Sequence, residues 1–457
     1  MQIEGRKALV LGAGKSGIAS AKFLADRGAV VALHDKKDVE GWSGAARSLK
    51  ESHNIGLVSG DLPSWFLDQI DLVVISPGVP TNTIPARYVD RKDGEVIGEV
   101  ELAFRFLKGR IVGITGSNGK TTTTALVGEI LKDAGIKTQV GGNIGTPLLT
   151  LAETSTDDTW TVVELSSFQL ETIVDFRPNV GLCLNVTPNH LDRYEGFHEY
   201  ALAKHRIFMN QTAEDVAVLN ADDPITADWA AGLNANIVMF SVKRELDDGL
   251  FLRGAELVFK ANGKEKVLTT REDIFLRGLH NVENVLAALA AGLACGASPK
   301  SMRETIKNFK GVEHRIEFVA EIGGVKFYSD SKATSVDATS KALEALSGGE
   351  GKTVLILGGK GKNAPYSPLI PLIESSVRAL VLIGEDADNI ESQLTGHAEI
   401  IRGSTMQDAV EKASKASEAG DSVLLAPACA SFDMFKSFEE RGDVFKAAVK
   451  ELSGVPA

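Results

Sequence analysis

The residues most able to do chemistry lie in one run, Gly116-Ser117-Asn118-Gly119-Lys120-Thr121. An apolar strand pattern leads into it, and a helical pattern over Thr122–Leu131 follows. In that setting successive backbone N–H groups wrap a polyphosphate, the helix N-terminus adds partial positive charge, and a lysine reaches the β- and γ-phosphates. Lys120 is placed for that task and the Thr121 hydroxyl for a Mg²⁺ ion. The run departs from a strict GxxxxGK[ST] loop, because Ile114 stands where the first glycine belongs. The same residues would also serve as a glycine-rich strand-to-helix turn that binds nothing.

A nucleotide site needs metal ligands opposite the phosphates. Glu164 ends the strand pattern Thr161–Glu164, at the carboxyl end where ligands of open α/β sheets sit. It is a candidate Mg²⁺ ligand, or a solvated strand-end carboxylate. His190 follows another strand pattern, Val180–Asn185, and a single histidine is more often structural. Lys204 lies beside a stripe of Tyr200, Ala203, Ile207 and Phe208 at helical spacing. Its local sequence favours a lysine whose stem packs while its charge reaches water.

Two further regions carry polar loops at strand ends. Near the N-terminus an apolar strand, Ala8–Leu11, runs into Gly12-x-Gly14-x-x-Gly17, a helix reaching about Arg27, and a second strand ending at Asp35. That pattern reads as a dinucleotide fingerprint, with the bound nucleotide left undecided between NAD and another diphosphate. A further strand, Leu72–Ile75, stops at Ser76-Pro77-Gly78. Late in the chain, Asp330-Ser331-Lys332-Ala333-Thr334, Gly358-Gly359-x-Gly361-Lys362 and Ala428-Cys429-Ala430-Ser431-Phe432 each follow an apolar strand. Each alone could be a cap or a tight turn, but three in one domain favour a pocket.

These motifs need strands to place them. The strand–glycine loop–helix pattern restarts three times, which predicts an α/β fold with largely parallel sheets. A length of 457 residues fits about three domains. The expected boundaries are 1–108, a Rossmann-like domain; 109–311, a P-loop ATPase-like domain with hairpin strands over 248–270; and 312–457, a second Rossmann-like domain. Turns are expected at Asp247-Asp248-Gly249 and Asn262-Gly263. The helix Glu99–Leu107 reads as the exit from the first domain. A net charge of −12 repels nucleic-acid phosphates, so an anionic ligand needs a local cluster of donors. Three widely spaced cysteines point to a reducing compartment. MQIEGRKALV does not read as a signal peptide, and no uncharged apolar run reaches the ~18 residues of a membrane span. A cytoplasmic protein without membrane or nucleic-acid partners is expected.

Taken together the motifs resemble the Mur ligase family, in order and over essentially the whole chain. Besides GSNGKTTT, the resemblance rests on ELSSFQLE (164–171), NVTPNHLDRY (185–194), HNVEN (280–284), EHR ending at Arg315, DSKAT, GGKGK and PACASFDMFKSFEERG (427–442). The SSFQL and ACASFDMF runs point to its D-glutamate-adding branch.

The resemblance implies an ATP-dependent amide ligase of cell-wall precursor synthesis. Its partners would be UDP-N-acetylmuramoyl-L-alanine, D-glutamate and ATP with two Mg²⁺ ions, and the enzyme would act as a monomer. It implies that Gly14, Lys15, Ser16 and Gly78 approach the UDP diphosphate, that Asp35 and Lys36 lie at the uracil, and that Asn143 and Ser166 contact the same substrate. The loop Gly116–Thr122, with Asn281, Asn284, Arg315 and Asp330, would bind ATP. Thr121, Glu164, His190 and Lys204, the last as a carbamate, would hold the metals. Lys332, Thr334, Lys362, Ser431 and Phe432 would frame D-glutamate. Two positions depart from the family: Asn189 replaces an aspartate before His190, and Asn363-Ala364-Pro365-Tyr366 follows Lys362. A folylpolyglutamate synthase would begin near its P-loop and lack the N-terminal GxGxxG domain. An NAD-dependent oxidoreductase fused to an ATPase would bind NADH, and a non-catalytic sensor would not need Glu164, His190 and Lys204 together.

Overall fold

Unbroken apolar runs such as Leu72–Ile75 and residues 354–357 mark strands covered on both faces, and every residue of both runs is buried. In a computed structural model such strands form the centres of three α/β sheets. The structure describes residues 1–84, 94–143, 145–188, 193–276, 278–347, 351–361 and 365–453. His190, Asn189, Lys362, Asn363 and Ala364 lie outside them. The chain forms two compact units, Met1–Phe309 and Lys310–Ala457.

The first sheet contains β1 (Lys7–Leu11), β2 (Val30–Asp35), β3 (Gly56–Ser59), β4 (Leu72–Ile75) and β5 (Glu95–Gly98), in the order 3-2-1-4-5. All its pairs are parallel, and the order reverses between β1 and β4, where loops diverge and leave a crevice. The second sheet contains β6 (Arg110–Thr115), β7 (Thr138–Gly142), β8 (Trp160–Glu164), β9 (Val180–Cys183), β10 (Val216–Asn220), β11 (Asn236–Ser241), β12 (Gly249–Arg253), β13 (Glu256–Ala261) and β14 (Lys264–Thr270). Its order is 14-13-12-11-10-9-6-8-7, so β6 lies between the strands ending at Glu164 and Cys183. The second unit holds β15 (Glu317–Ile322), β16 (Val325–Ser329), β17 (Thr353–Gly358), β18 (Val377–Ile383), β19 (Glu399–Arg402) and β20 (Ser422–Leu425), in the order 15-16-20-17-18-19. Only β15 runs antiparallel there. The expected α/β architecture is therefore the observed one.

Three details differ from the sequence reading. Asp247-Asp248-Gly249 is not a hairpin turn, because β12 pairs parallel with β11. Instead Asp248 Oδ1 accepts the N–H of Asn262 at 2.8 Å and braces the Asn262-Gly263 turn. Both turn residues have positive φ, 53° and 74°, as a two-residue hairpin loop requires. Strand β9 stops at Cys183 rather than Asn185, and the next residues turn to hold the glycine loop.

The third difference is the helix expected to reach Leu107, which ends at Phe104 and forms a packed seam. Its first five residues are all buried, and Val100, Leu102 and Ala103 share one core with Leu148, Leu149, Leu170, Ile173 and Phe176. Glu101, fully buried, closes the seam. Its Oε2 accepts the N–H groups of Val174, Asp175 and Phe176 at 2.8, 3.0 and 3.0 Å, while Oε1 accepts Arg105 Nε at 2.9 Å. Removing that carboxylate strands three backbone donors at once and takes one of its carboxylate partners from Arg105, which keeps Glu95 and Asp175. Glu101→Ala is expected to lower the unfolding free energy by about 3 kcal/mol or more, measured in urea. The half-exposed Glu95→Ala, at the same arginine, is expected to lower it by less than ~1 kcal/mol. Equal losses would show that Glu101 is no clamp.

Candidate active site

Strand β6 delivers the glycine loop between its neighbours, and both help to shape it. Ser117 N–H donates to Asn185 O at 2.9 Å, and Asn118 N–H to Asn185 Oδ1 at 2.8 Å. Ser117 Oγ accepts the N–H of Thr187 at 2.9 Å and lies 3.0 Å from Tyr200 Oη. Gly119 has φ 82°, and a Cβ there would come within 2.2 Å of Asn284 Oδ1. Only glycine meets both conditions. Asn284 is thereby packed on the loop, with its Nδ2 donating to Asn281 Oδ1 at 3.2 Å.

Lys120 begins the helix Lys120–Asp133, and its Nζ curls back to donate to Gly116 O at 2.8 Å and Ser117 O at 2.9 Å. Lys204, on the helix Phe197–His205, reaches the same Gly116 oxygen at 2.8 Å. It is not the solvent-seeking lysine its local sequence suggested, for it is 2% exposed and its Nζ lies 4.6 Å from the Tyr200 ring centre. Burial, reinforced by the Lys120 cation, pushes its pKa down to about 7. A neutral amine is thus accessible at physiological pH.

Glu164 stands in register with Ile114, two residues before Gly116. Its Oε1 accepts Asn143 Nδ2 at 2.9 Å, and its carbonyl accepts Asn143 N–H at 2.9 Å. The buried Oε2 has no hydrogen-bond partner among the described residues. An orphaned carboxylate oxygen of this kind suits a hard cation such as Mg²⁺. Among the described residues no group of three or more His, Cys, Asp or Glu comes together for a metal. Of those residue types the expected set has only Glu164 and His190, and His190 lies outside the described residues. Ser166 caps the short helix Ser167–Leu170 in a reciprocal capping box with Gln169.

At the crevice of the first sheet a pocket of about 800 Å³ is lined by Asp35, Lys36 and Gly78, along with Gly12, His34 and Asp61. Gly14, Lys15 and Ser16 open the neighbouring helix. A Cβ on Gly17 would lie 1.8 Å from Gly12 O, so that glycine serves close helix–strand packing, whereas Gly14 faces open space. The Asp35 carboxylate accepts the N–H groups of Ala13 at 2.9 Å and Lys37 at 3.1 Å. Burial opposes its charge, yet these bonds and nearby Lys37 bring its pKa below the ordinary value. Asp35 therefore braces the glycine loop.

In the second unit, Asp330, Ser331, Lys332 and Thr334 follow β16, and Ser431 and Phe432 follow β20, its parallel neighbour. Asp330 is buried, and burial raises its pKa to about 7 despite the opposing Arg315 cation. Ser431 is buried while Phe432 is 71% exposed.

The sequence reading passed over two arginines. Arg193 Nη1 donates to Pro77 O at 3.0 Å and its Nη2 to Val79 O at 3.4 Å, the two residues flanking Gly78. Its guanidinium lies 4.0 Å from the Phe168 ring centre and pairs with Glu171, which accepts Tyr194 Oη at 2.5 Å. The second, Arg441, is fully buried in the second unit. Membership of the quoted motifs was the only sign available; Pro77 and Val79 for Arg193, and Ser331 for Arg441, lie more than a hundred residues away.

Family models match the chain in three consecutive stretches: a Mur ligase MurD-like N-terminal domain over residues 6–98, a Mur ligase middle domain over 114–292, and a Mur ligase glutamate ligase domain over 314–429. A UDP-N-acetylmuramoylalanine--D-glutamate ligase of Acidobacterium capsulatum is 47% identical, covering 100% of this chain and 99% of its own. One from Solibacter usitatus is 48% identical, covering 99% of both. Among solved structures, a pseudomurein peptide ligase type C from Methanothermus fervidus shares the fold at TM-score 0.56 and 19% identity, covering 98% of this chain and 100% of that one. UDP-N-acetylmuramate-alanine ligase from Thermotoga maritima does so at TM-score 0.55 and 20% identity, covering 98% and 99%. Matched in order along its length, and close to half identical to full-length relatives, this chain belongs to the Mur ligase family.

Proposed function

We propose that this protein is the ATP-dependent ligase that joins D-glutamate to UDP-N-acetylmuramoyl-L-alanine in peptidoglycan precursor synthesis. The observation that carries the reading is that relatives 42–48% identical, covering nearly all of both chains, bear that name. The glycine loop with two lysines on one carbonyl supports it, since an amide ligase must hold a polyphosphate there. The enzyme acts in the cytoplasm as a monomer, without nucleic-acid or membrane partners. Among the described residues no helix is long and apolar enough to cross a membrane.

A carboxylate accepts an amine poorly. The alanyl carboxylate oxygen therefore attacks the γ-phosphorus of ATP, ADP leaves, and an acyl phosphate forms. The D-glutamate amine, having lost a proton, adds to the acyl carbon; the tetrahedral intermediate then expels phosphate and leaves the amide. The loop N–H groups from Gly116 to Thr122 hold the phosphates, and Lys120 swings from the Gly116 carbonyl to the transferring group. Asn281, Asn284, Arg315 and Asp330 would serve the nucleotide. Two Mg²⁺ ions would be held by Thr121, Glu164, His190 and the carbamate of Lys204, and would neutralise phosphate charge when bound. Gly14, Lys15, Ser16, Asp35, Lys36, Gly78, Asn143 and Ser166 serve the UDP substrate. Lys332, Thr334, Lys362, Ser431 and Phe432 serve D-glutamate. The segments 1–108, 109–311 and 312–457 divide these tasks.

Phosphate release with UDP-N-acetylmuramoyl-L-alanine is expected with D-glutamate and not with L-glutamate; release with neither would sink the assignment. Lys120→Ala is expected to cut turnover by about a hundredfold or more while calorimetry finds UDP-substrate affinity within about twofold of wild type. Parallel loss of both would mean the two nucleotide sites are not separate.

Lys204 allows a sharper test. Its neutral amine can attack CO₂, forming an N–C bond and losing a proton, and the resulting carbamate replaces a cation with oxygens that suit Mg²⁺. Lys204→Ala is expected to be nearly inactive and to recover with added acetate or formate, whereas Lys204→Arg stays inactive. ¹³C NMR under ¹³CO₂ is expected to show a carbamate carbon in wild type only. Its absence, or wild-type turnover in Lys204→Ala, would return Lys204 to a packing role.

A further inference from the structure

Three loops of the second unit leave the carboxyl ends of adjacent strands β16, β20 and β17, and all three meet one side chain. Arg441, on the helix Phe438–Leu452, is 1% exposed. Its Nε donates to Ser331 Oγ at 3.0 Å, its Nη2 to Ser331 O at 2.8 Å, and its Nη1 to Cys429 O at 3.1 Å. Ser331 Oγ in turn donates to Phe438 O at 2.8 Å, tying the first loop to the start of the arginine's own helix. The third loop is pressed against the same group. A Cβ on Gly359 would come within 3.2 Å of Arg441 Nη1, and Lys360 N–H donates to Ala430 O at 2.9 Å.

None of these partners is a carboxylate. A buried guanidinium hydrogen-bonded only to carbonyl and hydroxyl oxygens, with the Asp433 carboxylate acting on it without a hydrogen bond, is a poor source of stability, since desolvation outweighs what neutral acceptors return. Burial accordingly lowers its pKa to about 10, though it remains charged at neutral pH. What a planar fork supplies is geometry, because its donors fix the distance and angle between the groups they bind. The loops need such a device. Ala428 has φ 57°, a strained value for a residue with a Cβ, and its N–H donates to Ala333 O at 2.9 Å. Cys429 is gripped from its other side by Tyr366, whose hydroxyl donates to Asp386 Oδ2 at 2.5 Å and lies 3.0 Å from the sulfur.

We propose that Arg441 is the positioning residue of the amino-acid site, setting the Ser331–Thr334 turn against the Cys429–Phe432 turn. This rests on the reading that Lys332, Thr334, Ser431 and Phe432 receive D-glutamate. The amino acid carries two carboxylates and an amine within one short chain, so a shift of one turn against the other separates donors that must act together.

The test is steady-state phosphate release by the full-length enzyme, varying each substrate in turn, with melting curves for every variant. Arg441→Met is expected to raise the KM for D-glutamate about tenfold or more, while the KM values for ATP and the UDP substrate stay within about twofold. Arg441→Lys, which keeps the charge but loses the fork, is expected to fall between Met and wild type. If Arg441→Met does not fold, Ser331→Ala carries the test with an expected several-fold rise in the D-glutamate KM alone. A uniform change in all three KM values that follows the loss of thermal stability, or an unchanged D-glutamate KM in the folded variants, overturns the proposal. Ser431→Ala separates the two readings. If it leaves the D-glutamate KM unchanged, the amino acid binds elsewhere; if it raises that KM while the Arg441 and Ser331 variants do not, only the positioning role fails.

Discussion

The carbonyl oxygen of Gly116 accepts hydrogen bonds from two lysine Nζ groups at once, and the central segment is built around that point. Lys204 is withdrawn from water and repelled by the like charge of Lys120 at the same acceptor, which is why its pKa falls to about 7. Such a cluster persists only if packing elsewhere offsets it. The sheet beneath it does so: Val112, Ile114, Val162, Val163 and Leu182 are all completely buried. The order of the strands places β6 between β8 and β9, so Glu164 and Asn185 arrive on either side of the same loop. Glycines at 116 and 119 then let the backbone take φ values of 149° and 82° against Leu184 and Asn284.

The same solution to a buried charge recurs in places far apart in sequence. Glu101 is answered by three backbone N–H groups, and Arg441 by two carbonyls and a hydroxyl. Lys204 is answered by a carbonyl and an aromatic face. Backbone dipoles cannot move away without unfolding the turn that carries them. A charge held this way therefore fixes the turn as much as the turn fixes the charge. Asp330 is buried as well, and burial raises its pKa to about 7 although the Arg315 and Lys332 cations and the Ile316 backbone oppose the rise.

Most strands were legible because both faces of a parallel sheet are covered and the residues read as unbroken apolar runs. Leu72–Ile75 and Ser422–Leu425 begin and end where the pattern does. Short, half-exposed strands such as Gly56–Ser59 and Glu399–Arg402 give no such run. The packing of the helix Glu99–Phe104 leaves no local sign for a related reason: it shares one core with Ala21, Leu24 and Leu72 before it and with Leu148, Leu170 and Phe176 well after it. Asp247-Asp248-Gly249 looks like a hairpin turn in any local window, and only the parallel pairing of β12 with β11 shows otherwise.

The glycine loop could be read from residue type alone, because positive φ, close approach and exposed N–H groups are demands that few residues other than glycine satisfy. So could the order of the three α/β segments and their likeness to the Mur ligases. The burial of Lys204, the grip of Arg193 on Pro77 and Val79, and the fork of Arg441 could not. A lysine or arginine has the same local signature whether its head lies in water or against a carbonyl brought from a hundred residues away. Strand order decides which of the two it meets, and strand order is a property of the assembled sheets.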